Sequence, residues 1–306
     1  MDLLQTAPLL LLGLSVLGLF VGFLTGMFGI GGAFITTPIM ILAFGIDPSV
    51  AIGCSMGFTL ANGCLGLRRH SGLGNFEPKA MYPIAIGASL GVLVGFQFHN
   101  GLEEAWGNQF DELVNGIFCV LLLPIGVLVW WQSDKSIGKP LLSRLAVPPM
   151  SQLRQPSLPP VSLSLLFALG MTIGVLKGMT GIGGGIILVP ILVLLVGMDA
   201  HRAVGTSLGM VVLSSVIGTF LFASEGSIDL VVIVALLTGS LVGVVIGTRF
   251  CNILPPVRLK RLLAMLVFCF SLFLGYEVVS ELVKAPEPNH LSDPLDPALE
   301  SPSPEA

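Results

Sequence analysis

Ten apolar stretches separated by short polar loops limit the fold of this chain more than any other feature. A helix needs about 20 mostly apolar residues to cross the hydrocarbon core of a bilayer. Eight of the stretches have roughly that length: Leu9–Phe28, Pro48–Leu67, Lys79–Phe98, Leu113–Trp131, Val161–Thr180, Arg202–Phe222, Ile228–Phe250 and Arg261–Val283. Only 10% of the residues are charged, whereas soluble domains average about 25%. No segment alternates in polarity as the strands of membrane barrels do. The sequence therefore predicts an all-α, polytopic bundle of transmembrane helices.

The two halves of the chain repeat each other at a constant offset of 152 positions, which is the step from Gly26 to Gly178. The segment 17–57 aligns without a gap with the segment 169–209, and it matches a glycine cluster, a proline and an aspartate in register. Such self-similarity indicates one structural unit present twice. The sequence predicts two transmembrane repeats, residues 1–131 and residues 161–284.

Two polar segments lie outside these repeats. Residues 132–160 are polar and rich in proline, and they are predicted to form a cytoplasmic linker. Residues 285–306 are acidic and rich in proline. Such a composition cannot bury enough apolar surface to fold, so a disordered tail is predicted there.

The charged residues of the short loops predict the orientation. Basic loops stay in the cytoplasm, which places Arg68 inside, whereas the acidic loops with Glu103 and Glu225 lie outside. The loops of Arg68 and Glu225 are repeat mates on opposite sides, so the repeats are predicted to be inverted, as in many carriers. Inversion needs an odd number of crossings per half. Either five helices cross in each half, or the short stretches Ala33–Gly45 and Gly185–Gly197 fold back as re-entrant hairpins.

A glycine cluster interrupts the apolar pattern at the same place in each half. Each glycine costs a helix about 1 kcal/mol relative to alanine, so four within seven residues should break the helix. Paired broken segments mark the substrate sites of many transporters, and the amide groups at a helix start suit an anion. The predicted substrate-binding residues are Gly26, Gly29, Gly31, Gly32, Lys177, Gly178, Thr180, Gly181, Gly183 and Gly184. The alternative is that the glycines only permit close helix packing.

Lys177 lies directly before the second cluster, whereas its repeat mate Thr25 is uncharged. An ionisable residue inside a membrane segment is a candidate for function, and here it would bind or gate an anion. The alternative is a lysine that extends to the membrane interface.

The remaining polar residues have simpler interpretations. Asp47 and Asp199 precede predicted helices and are expected to cap them, with a role in proton coupling as the alternative. The five cysteines have no metal-type spacing and are expected to pack as small apolar residues. No convergent set of catalytic residues, no metal site, no cofactor site and no basic segment for nucleic acid is predicted, so the chain is not expected to be an enzyme.

The duplicated motif resembles the sulfite exporter TauE/SafE family, also called the 4-toluene sulfonate uptake permeases. The likeness rests on G-x-x-x-G-x-x-G-x-G-G before a proline, followed by A-x-G-x-S. These patterns occur at Gly22–Pro38 with Ala51–Ser55 and at Gly174–Pro190 with Ala203–Ser207. The resemblance implies a multi-pass carrier of the cell membrane, with sulfite, sulfonates, thiosulfate or related organosulfur anions as substrates.

Together these features predict a secondary carrier in the lipid bilayer that binds a small anion. The alternative is an anion channel or an accessory membrane subunit, because inverted repeats also occur in channels.

Overall fold

The structure is a computed structural model that describes residues 3–106, 108–133, 147–155, 158–181 and 184–284. The described residues form ten α-helices, a π-helical segment and two very short strands. The helices are α1 (Leu3–Phe28), α2 (Ala33–Phe44), α3 (Pro48–Gly72), α4 (Pro78–Trp106), α5 (Asn108–Trp131), α6 (Leu163–Thr180), α7 (Gly185–Ile191), α8 (Ala200–Ser224), α9 (Leu230–Ile253) and α10 (Pro256–Lys284). The π-helical segment Leu192–Val196 continues α7, and the strands are β1 (Met150–Ser151) and β2 (Val161–Ser162). The all-α prediction is confirmed.

Six of the described helices are long and apolar enough to cross a membrane, namely α1, α3, α4, α6, α8 and α9. The protein is therefore a multi-pass membrane protein. Helix α2 has 12 residues, which at about 1.5 Å per residue reach only part of the way through a hydrocarbon core of about 30 Å. The same holds for α7 with its π-helical continuation. The apolar stretches Ala33–Gly45 and Gly185–Gly197, which the sequence left as either spanning or re-entrant, thus form these two short helical segments.

Glycine rows join the first helix of each half to the fourth helix of the other half. A Cβ atom on Gly22 of α1 would lie 2.7 Å from the carbonyl oxygen of Ser240 in α9. The positions shifted by 152 are Gly174 of α6 and Ala88 of α4, and they contact each other in the same way. Without side chains at these steps, the helix backbones approach closely, as small residues allow in membrane bundles.

The third helix of each half packs against its own repeat mate. Gly53 of α3 lies beside Phe222 of α8, and Gly66 lies beside Leu208. From the first contact to the second, the residue number rises along α3 and falls along α8, so the two helices are antiparallel. Two copies of one unit with antiparallel equivalent helices are what inversion produces. Inversion stays a prediction, and these contacts support it.

The described part of the predicted linker packs on the helix bundle. The Nζ atom of Lys79 donates to the carbonyl oxygen of Gln152 at 2.8 Å, and the backbone N–H of Arg154 donates to the Glu77 carboxylate at 2.8 Å. Strands β1 and β2 pair in antiparallel fashion just before α6. The predicted tail, residues 285–306, lies outside the described residues, as does Gly183.

Candidate functional site

The first glycine cluster turns the chain back on itself inside the bundle. Gly29, Gly31 and Gly32 have φ angles of 72°, 83° and 106°, a region that glycine adopts at little cost. A Cβ atom on Gly32 would contact the Val21 side chain, while the Phe44 ring at the other end of α2 contacts Gly13. Helix α2 therefore runs back along α1 and begins beside Val21, in the C-terminal half of that helix.

The described residues of the second cluster have similar neighbours, although Gly184 has a φ of -59° where its repeat mate Gly32 has 106°. Helix α6 ends at Thr180, and Gly181 caps it with a φ of 67°. Gly184 lies beside Ile173 of α6 and Met210 of α8, which are the repeat mates of the residues that flank Gly32. The two clusters also touch, because a Cβ atom on Gly185 would lie 2.6 Å from the Cα atom of Ile30.

The point where the clusters meet lies deep in the bundle. A Cβ atom on Gly31 would lie 2.9 Å from the Thr59 methyl group and 2.6 Å from a Val211 methyl group. Thr59 and Val211 are near the midpoints of α3 and α8, each of which has 25 residues. Helix α2 therefore begins in the interior, where the unpaired N–H groups and the positive end of its dipole favour negative charge.

Lys177 brings a positive charge to the same region. Its side chain is fully buried. Its Nζ atom donates to the hydroxyls of Ser214 at 2.8 Å and Ser215 at 2.7 Å, and to the carbonyl oxygen of Val211 at 3.4 Å. No carboxylate of the described residues forms an ion pair with it. The burial disagrees with the alternative of a lysine that extends to the interface.

The equivalent place in the first half holds neutral groups. The Asn62 amide donates to the Thr25 hydroxyl at 3.0 Å, and the Ser240 hydroxyl donates to the Asn62 carbonyl oxygen at 2.6 Å. Thr25 and Asn62 are the repeat mates of Lys177 and Ser214. Equivalent pairs of helices are thus bridged in each half, α1 to α3 and α6 to α8, but only the second bridge contains an ionisable side chain.

Thr59 has a buried hydroxyl without a hydrogen-bond partner in the part of the chain that the structure describes. A buried polar group is normally satisfied by protein, water or a ligand. This hydroxyl belongs to a residue that touches Gly31. Thr59, Asn62, Ser214 and Ser215 are not among the site residues predicted from the sequence. The available signal was that each is a polar residue within a spanning helix.

Other predicted site residues contact neighbouring backbone. Cβ atoms on Gly26 and Gly178 would lie 2.5 Å from the carbonyl oxygens of Val244 and Val92, as helix-packing glycines do. Gly29 approaches the backbone of Val204. The Thr180 hydroxyl donates to the Leu176 carbonyl oxygen of its own helix at 2.9 Å. We therefore centre the candidate site on Gly31, Gly32, Gly184, Lys177 and Thr59.

The two aspartates that precede the third helices differ. The Asp47 carboxylate accepts hydrogen bonds from the backbone N–H groups of Ser49 at 3.0 Å and Val50 at 3.4 Å, and it caps α3 as expected. Asp199 makes no side-chain capping bond. It lies 3.8 Å from the His201 imidazole, which holds the pKa of the Asp199 carboxyl below its usual range.

Comparisons with known proteins agree with this architecture. The profile of the family described as "Sulfite exporter TauE/SafE" matches residues 14–274. "Probable membrane transporter protein YjnA" of Bacillus subtilis (strain 168) is 28% identical over 264 residues, which cover 84% of this chain and 96% of that protein. "Probable membrane transporter protein MJ0441" of Methanocaldococcus jannaschii is 27% identical over 285 residues, which cover 87% and 96%. No solved structure matches the chain significantly.

Proposed function

This chain belongs to the TauE/SafE sulfite exporter family, and we propose that it is a secondary carrier of a small, sulfur-containing oxyanion. Its relatives are described as membrane transporters. The anion and the carrier mechanism are the parts that this proposal adds.

The observation that carries the proposal is the burial of Lys177 among neutral partners. Its ammonium group is bonded to two serine hydroxyls and a carbonyl oxygen. Such partners solvate a cation without cancelling its charge. Charges act strongly in a poorly hydrated interior because the effective dielectric is lower than in water. An anion bound beside Lys177 would supply the missing negative charge.

The glycine clusters would supply the remaining contacts. The start of α2 lies beside Gly31 and Thr59, so backbone N–H groups and a free hydroxyl are within one region. Oxyanions with several acceptor oxygens use N–H and O–H donors of this kind. Sulfite, thiosulfate and small sulfonates carry such oxygens, and the family is described by sulfite export.

The reciprocal contacts of the two halves support alternating access. Equivalent helices α3 and α8 pack antiparallel near the candidate site, and carriers built from inverted repeats rock one repeat against the other around a central site. A carrier of this kind would be driven by an ion gradient or by the substrate gradient.

Flux measurements in proteoliposomes test the proposal. We expect saturable uptake of sulfite, thiosulfate or ethanesulfonate, competition among them, and accumulation against a gradient when a proton or sodium gradient is imposed. Acetate serves as an oxyanion control without sulfur. Saturable flux that never exceeds the anion gradient under any imposed ion gradient, together with single-channel currents, would instead support an anion channel. Absence of flux for every sulfur anion would contradict the proposal.

A further inference from the structure

A cavity of about 370 Å³ lies between the ends of α3 and α9, on the side predicted to be cytoplasmic. Its volume falls within the roughly 300–1,000 Å³ typical of small-molecule sites. Arg69 and Arg249 both line it, together with Thr248 and Asn252. From sequence alone these arginines indicate only the orientation of the chain. In the structure they belong to two different helices and face the same space.

Neither guanidinium group is neutralised by a carboxylate of the described residues. The Nε atom of Arg69 is buried and has no hydrogen-bond partner among those residues. A buried donor on a charged group is costly to leave unpaired. Two cations that line one cavity have the charge and the N–H donors that suit a group with several acceptor oxygens.

The cavity adjoins the first helix break. The backbone nitrogen of Thr248 would lie 2.8 Å from a Cβ atom on Gly26, and the His70 imidazole lies 2.8 Å from the carbonyl oxygen of Gly26. Gly26 is three residues before Gly29, where α1 has ended and the chain turns inward. The cavity thus lies beside Gly26 of the first glycine cluster, on the predicted cytoplasmic side of the candidate site.

The equivalent place in the other repeat has no such charges. The repeat mates of Arg69 and Arg249 are Leu221 and Gln97. The mates of His70 and Thr248 are Phe222 and Phe96, whose rings pack edge to face with centroids 5.1 Å apart. One place therefore has two cations, whereas its equivalent has a packed pair of aromatic rings. Repeat architecture alone does not require the arginines.

We propose that Arg69 and Arg249 form a second anion site, a cytoplasmic mouth site that holds the oxyanion group of a ligand before or after passage through the centre. It goes beyond the central site at Lys177, although its role in transport rests on the proposed function. The same chemistry would also hold the phosphate of an anionic lipid, because the cytoplasmic leaflet carries such headgroups.

Site-resolved arginine modification tests this proposal on the intact protein. Phenylglyoxal reacts with accessible guanidinium groups, and mass spectrometry reports the rate at each arginine. In a zwitterionic detergent, ethanesulfonate or inorganic sulfate should protect Arg69 and Arg249. At a concentration about ten times the dissociation constant, their labelling should slow roughly tenfold, because only the free fraction reacts. Arg68 and Arg258 are exposed and do not line the cavity, so they are the internal controls.

Nanodiscs distinguish the two sources of the oxyanion. Protection without added anion in phosphatidylglycerol discs, but not in phosphatidylcholine discs, identifies a lipid headgroup. Protection that needs the added anion in both kinds of disc identifies a free ligand. Either result supports the site. If the anion or the lipid slows the labelling of Arg69 and Arg249 no more than that of Arg68 and Arg258 in every condition, the proposal is overturned.

Three variants complete the test. Arg69→Gln should abolish the protection of Arg249, because the two side chains hold one group, whereas Arg68→Gln should leave that protection intact. Persistent protection of Arg249 in Arg69→Gln would contradict the shared site. In Lys177→Met the protection should persist even where transport is lost. Failure of the mouth site and failure of the carrier proposal are thus separate results.

Discussion

At the scale of single residues, Lys177 distinguishes the second half of the candidate site from the first. Its repeat mate, Thr25, is bonded to Asn62 where Lys177 is bonded to Ser214. We expect Lys177→Met to weaken anion binding about 10- to 100-fold, because hydrogen bonds to charged groups contribute roughly 1.5–3 kcal/mol. Lys177→Arg should keep part of the affinity. Calorimetric titration of the purified protein with sulfite measures the change.

Lys79 provides the control for that variant, since it is an exposed lysine bonded to a linker carbonyl. Lys79→Met should leave the affinity unchanged. An affinity of Lys177→Met within about twofold of the parent would remove this lysine from the site, since the expected loss is far larger.

The unpaired Thr59 hydroxyl allows a second test at this scale. Thr59→Val removes no hydrogen bond that the described protein makes, so its thermal stability should stay close to that of the parent. If the hydroxyl contacts substrate, affinity should fall roughly 2- to 12-fold, the equivalent of a net hydrogen bond of about 0.5–1.5 kcal/mol.

Thr219→Val is the matched control, because Thr219 also has a buried, unpaired hydroxyl but lies beside Gly57 instead of a glycine cluster. Equal affinities for both variants and the parent would exclude Thr59 from binding.

At the scale of elements, the break between α1 and α2 depends on small residues with left-handed backbone. Gly31→Leu should abolish transport, since its side chain would meet Thr59 and Val211 at 2.9 and 2.6 Å while φ is 83°. Insertion should persist because the spanning helices are unchanged. Transport assays on vesicles with equal amounts of inserted protein measure the effect.

Gly74→Leu is the control: it also places a side chain on left-handed backbone, but no neighbouring atom crowds that side chain. Gly74 has a φ of 74°, and nothing lies within 4 Å of its Cβ position. This variant should transport almost normally. Near-normal transport by Gly31→Leu would place the site elsewhere and favour a packing role for the cluster.

At the scale of the whole molecule, the inverted arrangement makes a prediction about the two sides of the membrane. Gly74 and Gly226 are repeat mates in the turns after α3 and α8, and both Cβ positions are open. With the exposed Cys64 and Cys269 replaced by serine, Gly74→Cys should react with an impermeant maleimide only from the cytoplasmic side. Gly226→Cys should react only from outside.

Intact cells and inside-out vesicles give the two accessibilities, and detergent-solubilised protein gives the reference for full labelling. Reaction of both cysteines from one side would end the inverted-repeat proposal. It would also remove the argument for alternating access.

The all-α fold class and the positions of the helices could be predicted from the sequence. A long apolar stretch in a bilayer has few ways to satisfy the hydrogen bonds of its backbone N–H and C=O groups. Every predicted stretch of spanning length falls almost entirely within a helix. The glycine clusters could likewise be identified as helix breaks, because four glycines within seven residues disfavour a continuous helix.

Only the tertiary structure decided which residues meet. The sequence could not reveal that Lys177 is bonded to Ser214 and Ser215, because that contact depends on how α6 and α8 approach each other. The same is true of Arg69 and Arg249, which are 180 positions apart in the sequence (249 minus 69) yet line one cavity. Local sequence sets where each helix begins and ends, whereas contacts between distant helices depend on packing of the whole bundle.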